Sequence, residues 1–280
     1  MLLSSSRGRK APSDRGLDRR ALVAALACLP CGAGVAEAAP ASANAWLDYE
    51  ARLRARLLDA GGGVFDLTLA RTLLAATNAA RNAAGTGPCA WDEDLAMTAR
   101  AHGADLAARN YFNHVTAEGF DPPQRVGLLA RRMIGSASEN LSYRRADDPT
   151  TATQVMEGWR GSPPHWSNLL RPVHTRAGYG VVTAGKRTYS VGLYAQPYGS
   201  LGVPLPFRVQ AEAELSEALS SMVPAIEAFT LSDPADDRSV TSFAQGRPPT
   251  LAPGAYQLRP RRRLDDGWVD VLWGPIFVRL

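Results

Sequence analysis

The segment RAGYGVVTAGKRTYSVGLYAQPYG, residues 176–199, holds two runs with the pattern of β-strands on either side of a TAGK turn. In the second run, positions 189, 191 and 193 carry large apolar or aromatic side chains, and they alternate with positions 190, 192 and 194. This period of two predicts a strand, and the two runs together predict a hairpin. Because helical patterns precede the hairpin and no βαβ alternation occurs, we predict an α+β fold with an antiparallel sheet.

Four amphipathic patterns precede the hairpin and predict helices over residues 45–59, 69–84, 92–110 and 150–160. In the third of these helices Asp92 is the expected N-cap. His102 shares the apolar face of the same helix, so we interpret it as a core histidine. The intervening stretch, residues 111–148, is turn-rich and weakly periodic, which is typical of segments that carry function.

The first 38 residues have the order of a secretory signal: a basic lead, the apolar run ALVAALACLPCGAGV, and Ala36-Glu37-Ala38 as a cleavage site. The apolar run is too short for a membrane span, so we predict an exported mature protein without a transmembrane segment, cleaved after Ala38 and periplasmic or extracellular. The Arg19-Arg20 pair leaves the general and the twin-arginine export routes open.

Cleavage changes both the charge and the cysteine content of the chain. Of the net charge of +4, the first 38 residues contribute +3, which leaves +1. A nucleic-acid partner is therefore not expected, because such proteins need a basic surface to neutralise phosphates. Cleavage also removes Cys28 and Cys31, so Cys89 remains alone, forms no intramolecular disulfide and is predicted to be buried.

The composition predicts four segments: a signal peptide (1–38), an N-terminal helical extension (39–63), a main domain (64–200) and an appended C-terminal module (201–280). The module opens with the proline-bearing linker SLGVPLPF and an amphipathic stretch over about 211–228, and it is expected to be strand-rich at its end. Within it, the run from Arg259 to Arg263 favours a solvated strand edge over a surface for anionic lipids or envelope polymers.

The stretch GWRGSPPHWSNLL, residues 158–170, places a histidine behind two prolines. Ser162 followed by Pro163 predicts a helix start in which the serine hydroxyl caps the first turn. His165 then lies in that turn, where the helix dipole favours the neutral ring, which can bind a metal ion or accept a hydrogen bond.

Two polar residues of the turn-rich segment, His114 and Glu139, are the candidates to face His165. Two imidazoles and one carboxylate are a sufficient protein set for zinc with an open coordination position. The 51-residue spacing of the two histidines forms no recognised metal motif, and surface or capping histidines with a solvated glutamate are the favoured alternative from spacing alone.

The sequence also resembles a known protein family. The ordered segments LLAATNAARNAAG, WDEDLAMTARAHGADLAARNYFNH, SENL, GWRGSPPHWSNLL, GYGVV and YSVGLYAQPYG resemble the CAP superfamily, or SCP-like extracellular domain, in its short bacterial form, over about residues 69–198. The resemblance implies a three-layer α-β-α sandwich with a cleft lined by two histidines and two acidic residues, and zinc bound by the histidines in some members.

By motif, the cleft residues correspond to His114, Glu139 and His165. The sequence departs from the family at two places: Ser138 replaces the glycine of the Gly-Glu-Asn motif, and Ser162 stands where the second acid is expected, three residues after Trp159. The tetrad therefore becomes a triad, and Glu157 lies on the wrong side of Trp159 to replace the acid. Loss of one carboxylate weakens a two-group hydrolytic mechanism.

Three functions remain open at this point. The favoured one is a non-enzymatic protein that binds a lipid, a small apolar ligand or a cell-envelope partner through the cleft or a flanking groove. The second is a zinc-dependent hydrolase acting on peptides or envelope polymers, with His114 and His165 as metal ligands and Glu139 as the candidate catalytic base. The third and weakest is a hydrolase with a Cys89 or Ser162 nucleophile.

Four aromatic residues are candidates for apolar cleft walls near the histidines, although core positions are at least as consistent with the pattern: Tyr111, Phe112, Trp159 and Trp166.

Overall fold

The computed structural model describes residues 43–280, so the predicted signal segment and its cleavage site lie outside the described residues. This part of the chain contains seven α-helices: α1 Ala43–Asp59, α2 Leu67–Ala83, α3 Glu93–Arg109, α4 Pro122–Leu129, α5 Ala152–Arg160, α6 Pro163–Leu170 and α7 Glu212–Ser220. None of these helices is both long and apolar enough to span a membrane.

The strands form three sheets. Their bounds are β1 Val64–Phe65, β2 Ala90–Trp91, β3 Met133–Ile134, β4 Ala137–Arg145, β5 Arg176–Ala184, β6 Arg187–Ala195, β7 Gly199–Leu201, β8 Arg208–Val209, β9 Met222–Val223, β10 Ala228–Ser232, β11 Ser239–Ala244, β12 Gly254–Arg263, β13 Val269–Val271 and β14 Ile276–Arg279.

The central sheet has the order β1-β5-β6-β4, and the predicted hairpin forms its middle. Strands β5 and β6 pair antiparallel from Arg176↔Ala195 to Ala184↔Arg187, around a two-residue turn. Strand β2 departs from this antiparallel pattern, because its two residues pair parallel with β5. The architecture is the α+β sandwich that the sequence predicts.

The alternation within β5 explains why helices cover both faces of this sheet. Ala177, Tyr179 and Val181 pack into the core under α2, α5 and α6. Gly178 and Gly180 face α3, where an added Cβ would lie 2.2 Å from the backbone nitrogen of Ala96 and 2.3 Å from the carbonyl carbon of Ala99. Without side chains at these two positions, α3 rests directly on the strand.

Helix α3 begins as the sequence predicts, because the Asp92 side chain accepts a hydrogen bond from the Leu95 amide. Helix α1 is a packed element: Trp46, Tyr49 and Leu53 are buried. They belong to a core cluster that also includes residues of α3, α4 and β14. The N-terminal helix thus shares a core with both the main domain and the C-terminal segment.

The stretch over residues 111–148 is more regular than its weak periodicity predicts. It contains α4 and the nine-residue strand β4. Helix α4 opens with a capping box in which Asp121 and Gln124 exchange side-chain hydrogen bonds with each other's backbone amides. The sequence signal was the acid, two prolines and glutamine in DPPQ, which is typical of a helix start.

The C-terminal segment differs from the prediction in two respects. The expected linker is ordered, because β7 pairs with β3 and β9, and Leu205 is fully buried. The amphipathic stretch expected over about 211–228 is helical only from Glu212 to Ser220, and the chain continues as β9 before Pro224 and then as β10. The residue before a proline is restricted to extended backbone, which favours a strand there.

The rest of the segment forms a six-stranded sheet of order β11-β10-β12-β14-β8, with β13 paired to β12. The turn at Asp266-Gly267 joins β12 to β13. Arg131, after α4, donates hydrogen bonds to the carbonyls of Leu205, Pro206 and Ile276, and so joins the main domain to this segment.

Candidate functional site

The candidate site forms at the free edge of strand β4, the last strand of the central sheet. Consecutive residues of a strand face opposite sides of a sheet, so the side chains of Glu139 and Asn140 contact the helical layers on opposite sides of the sheet. Glu139 contacts His114 and Arg125 on the side of α3 and α4. Asn140 donates a hydrogen bond of 2.9 Å to the backbone carbonyl of His165 on α6. The edge strand therefore holds a histidine from each layer.

Glu139 is buried, with a side chain that is 1% exposed. Its carboxylate lies 2.9 Å from Nδ1 of His114 and accepts hydrogen bonds of 2.9 and 3.1 Å from Arg125. Burial alone would raise the pKa of Glu139, but the Arg125 charge, His102 and the two hydrogen-bond donors lower it to about 2. Glu139 is therefore a carboxylate with little basicity at neutral pH.

Arg125 is the partner that the sequence reasoning missed. It lies in α4 with a fully buried side chain and also donates to the carbonyls of Phe120 and His114. Burial alone would lower its pKa, but the Glu139 carboxylate raises it. Its position among Val126, Leu128 and Leu129 in an apolar helix was the available signal, because a buried arginine needs an acidic partner.

The carboxylate determines how His114 presents its ring. An ionised carboxylate can only accept, so Nδ1 of His114 donates to Glu139. In the neutral ring the lone pair then lies on Nε2, and the side chain is 45% exposed. A carboxylate behind the histidine is the arrangement that orients histidine ligands in metal sites.

His165 lies across from His114, and the two ring centroids are 6.4 Å apart. Burial and the neighbouring His114 both lower the pKa of His165, which favours its neutral form. Its Nδ1 atom is buried and has no hydrogen-bond partner within the described part of the chain. The structure thus brings together the three residues His114, Glu139 and His165.

A hydrogen-bond network holds α6 against β4 behind His165. Asn168 donates to Asn140 Oδ1 over 2.9 Å and accepts from the Ser138 hydroxyl over 2.7 Å. His174 is buried, stacks on Tyr194 and lies 3.3 Å from both Ser138 Oγ and Asn168 Oδ1. Ser138, at the position of the family's glycine, is therefore part of the support for His165.

Ser162 starts α6 as predicted, with Pro163 in the first helical position, but its hydroxyl makes no capping hydrogen bond. The capping role that the sequence suggested for this side chain is wrong. No side-chain hydrogen bond of Ser162 occurs within residues 43–280, and nothing activates it as a nucleophile. Glu157 is exposed on α5, as expected of a solvated helix residue.

The four aromatic residues proposed as cleft walls have different environments. Trp159 is fully buried and donates to the carbonyl of Leu141, so it is a core residue. Trp166 packs against the same core with Arg160 over its ring, and the Tyr111 hydroxyl donates to Asp105. Phe112 alone among the four is largely exposed.

His102 and Cys89 are core residues, as the sequence predicts. His102 is fully buried, and its Nε2 lies 3.2 Å from the carbonyl of Asn113 and 3.8 Å from Glu139. Burial and the Arg125 charge lower its pKa to about 3, which keeps the ring neutral. The Cys89 thiol donates to the carbonyl of His174, and burial raises its pKa, so it is a poor nucleophile.

Comparison with known proteins gives a family match for part of the chain. Residues 74–196 match the profile of the cysteine-rich secretory protein family, abbreviated CAP. These residues form a CAP domain. The profile match covers the central sheet from β2 to β6 and the helices from α3 to α6, together with most of α2.

One relative is the uncharacterized protein YkwD of Bacillus subtilis, which is 33% identical over 112 residues. That alignment covers 39% of this chain and 40% of YkwD, so the chain spans well under two thirds of that relative.

Two solved structures are similar at low identity. An outer surface protein of Borrelia burgdorferi is 17% identical with a TM-score of 0.43, over 48% of this chain and 98% of that one. An extracellular protein with an SCP domain from Bacillus anthracis is 24% identical with a TM-score of 0.36, over 45% of this chain and 40% of that one.

Proposed function

We propose that this protein is an exported, non-enzymatic binding protein that binds its ligand through the CAP cleft with His114 and His165 or through a flanking groove. The observation that carries the proposal is the buried Arg125–Glu139 ion pair. A general base works best with a pKa near the working pH, and the pKa of about 2 at Glu139 is far below it. Because the second acid is replaced by Ser162, the cleft has no other carboxylate from the family motif to act as a base.

A divalent metal in this cleft would be coordinated by only two protein ligands, His114 and His165. Zinc sites usually have three or four, and residues 43–280 contain no group of three or more His, Cys, Asp and Glu side chains arranged for a metal. The unpartnered Nδ1 of His165 and the oriented ring of His114 could supply two ligands of a zinc site. At least one further ligand would still be missing. We therefore propose that any bound zinc is completed by water or by the ligand itself.

The ligand class that we propose is a lipid or another small apolar molecule from the cell envelope. A groove of about 520 Å³ between α2 and α5 supports it, lined by the alanines of one α2 face and by Met156, together with polar residues that include Glu157 and Arg160. Acyl chains bind in such apolar grooves through burial of surface area. Replacing the exposed Ala79 with Phe would fill the groove and abolish a lipid-induced rise in melting temperature.

The deciding experiment is a calorimetric zinc titration of the metal-stripped protein, paired with a hydrolysis assay on peptides and cell-wall polymers. We expect weak, saturable binding that His114→Ala and His165→Ala each remove, with Ser167→Ala, an exposed position on the same helix, as the control. We expect no hydrolysis with or without zinc. Hydrolysis that stops with chelator and with Glu139→Gln would contradict the proposal and establish the zinc hydrolase instead.

Export is the remaining part of the proposal and rests on the predicted signal in residues 1–38. N-terminal sequencing of the protein recovered outside the cytoplasm should begin at Ala39. A chain that retains its first 38 residues and remains in the cytoplasm would contradict it.

A further inference from the structure

A trough of about 600 Å³ lies beside the turn of the β5–β6 hairpin, at the end of β4 away from the candidate site. Its charged lining residues are Arg145, Lys186 and Arg187, and no described Asp or Glu lines it. A cavity of this size is large enough for a small ligand. Its charge favours an anion.

The register of the sheet makes this concentration of charge costly. Arg145 on β4 and Arg187 on β6 are directly opposite each other. Cross-strand neighbours have Cβ atoms about 5 Å apart, and like charges in that arrangement destabilise a sheet. A pair of this kind is expected where an anion binds between the two side chains.

The surrounding acids do not neutralise the pair. Asp147 forms an ion pair with Lys186, and Asp148 forms one with Arg144, which precedes Arg145 in the strand. Arg187 donates a hydrogen bond to Asn110, a neutral acceptor. Neither Arg145 nor Arg187 has an acidic partner within residues 43–280, so two guanidinium groups remain uncompensated.

An aromatic surface continues from the arginine pair along the same face of the sheet. Tyr143 lies opposite Tyr189 in the register, with ring centroids 5.1 Å apart. The ring centroid of Phe112 lies 5.8 Å from that of Tyr143. Phe112 is 50% exposed and Tyr143 is 41% exposed. Neighbouring exposed aromatic rings of this kind mark interaction surfaces.

We propose that this trough binds an acidic saccharide, with its carboxylate between Arg145 and Arg187 and a sugar ring on Tyr143 and Phe112. Residues two apart in a strand are about 7 Å apart, so a carboxylate bound at Arg145 brings the sugar ring that carries it toward Tyr143. The C–H face of a sugar packs against the electron-rich face of an aromatic ring. Arginine suits carboxylates because its planar group donates two parallel hydrogen bonds.

The arginine pair of this site is separate from the histidine cleft. Arg145 follows Glu139 by six residues of extended strand, which places the two about 20 Å apart. The saccharide proposal therefore does not depend on the proposed function, and a variant of His165 leaves the arginine pair intact.

The test is a calorimetric titration of the purified protein with trigalacturonate at low salt. We expect saturable binding that Arg145→Gln weakens at least tenfold, and that Tyr143→Ala weakens while Tyr143→Phe retains it. Arg144→Gln is the matched control, since that arginine lies at the same end of β4 but faces the opposite side of the sheet. Maltotriose, which has no charge, should not bind.

A stability measurement separates a binding role from a structural one. Because Arg145→Gln removes a repulsion and no ion pair, its melting temperature should equal or exceed that of the unmodified protein. Equal losses of binding in Arg144→Gln and Arg145→Gln, no binding of trigalacturonate, or a strongly destabilised Arg145→Gln would each overturn the site. Inorganic phosphate binding as tightly as trigalacturonate would overturn the assignment to a saccharide.

Discussion

At the scale of single residues, the centre of the site is an ion pair that sequence motifs do not reveal. Glu139 and Arg125 are both buried, and Glu139 accepts from His114 at the same time. The charge on Arg125 holds Glu139 ionised, and the ionised carboxylate holds His114 in one orientation. A residue outside the family motif thus decides how a motif histidine faces the cleft.

Replacing Arg125 with methionine should lower the free energy of unfolding by about 3–5 kcal/mol, because Glu139 is left as an unpaired buried charge. Urea denaturation at pH 7 measures the loss. The double variant Arg125→Met/Glu139→Gln should recover part of it, since neither charge remains. A double variant as unstable as the single one would assign the effect to packing.

Two buried histidines make stability fall at acid pH. The folded-state pKa is about 3 for His102 and about 4 for His174, in both cases chiefly because burial disfavours the charged ring. An unfolded histidine has a pKa of about 6.5. Between these values the unfolded chain binds more protons than the folded one, so the free energy of unfolding decreases as the pH falls from about 6.5 toward 3.

Melting temperatures measured between pH 7.5 and pH 4 should show this decrease. In His102→Asn the melting temperature should fall less steeply below pH 6.5, because of the two histidines only His174 then differs in pKa between the folded and the unfolded chain. A variant with the same slope as the unmodified protein would show that His102 does not contribute to it.

At the scale of secondary-structure elements, the site depends on two close contacts of the central sheet. Helix α3 approaches β5 over Gly178 and Gly180, and α6 is tied to β4 by the network around Asn140 and Asn168. The first contact places the loop after α3, which carries His114. The second places the first turn of α6, which carries His165.

Gly180→Ala should destabilise the protein by about 3 kcal/mol or more, because its Cβ would lie 2.3 Å from the backbone of Ala99, which cannot move without the helix. Gly158→Ala is the matched control: it lies in α5 with no atom within 4 Å of the added Cβ. That change should stabilise the protein by about 0.5–1 kcal/mol. Equal effects of the two changes in urea denaturation would disprove the close packing of α3.

At the scale of the whole molecule, the C-terminal segment shares a core with the CAP domain and α1. Ile276 and Val278 of β14 belong to the same apolar cluster as Leu128 and Leu129 of α4. Arg131 adds hydrogen bonds across the same boundary. The segment is thus packed against the CAP domain and is more than an appendage on a linker.

Scanning calorimetry should therefore show one cooperative transition, with the calorimetric and van't Hoff enthalpies equal. Arg131→Ala should lower the temperature of that single transition, because the carbonyls of Leu205, Pro206 and Ile276 lose their donor. Two separated transitions in the unmodified protein would show that the segments unfold independently.

Local patterns in the sequence were sufficient to predict the hairpin, the helix starts at Asp92 and Ser162, and the burial of His102 and Cys89. These features depend on residues that are near in sequence, so periodicity and turn chemistry report them. The helix α4 carried a readable capping box as well. The amphipathic stretch at 211–228 shows the limit of periodicity, since its later residues join β9 and the start of β10, which pair with β7, β11 and β12.

The sequence by itself determined the α+β class, and its resemblance to the CAP family predicted the two cleft histidines and the replacement of the second acid by Ser162. Only the tertiary structure decided what Glu139 does. Its partners His114 and Arg125 are 25 and 14 residues away in the chain, on different elements, and they meet because the sheet edge packs between two helical layers. Burial there strengthens the charge interaction with Arg125, which lowers the pKa of Glu139.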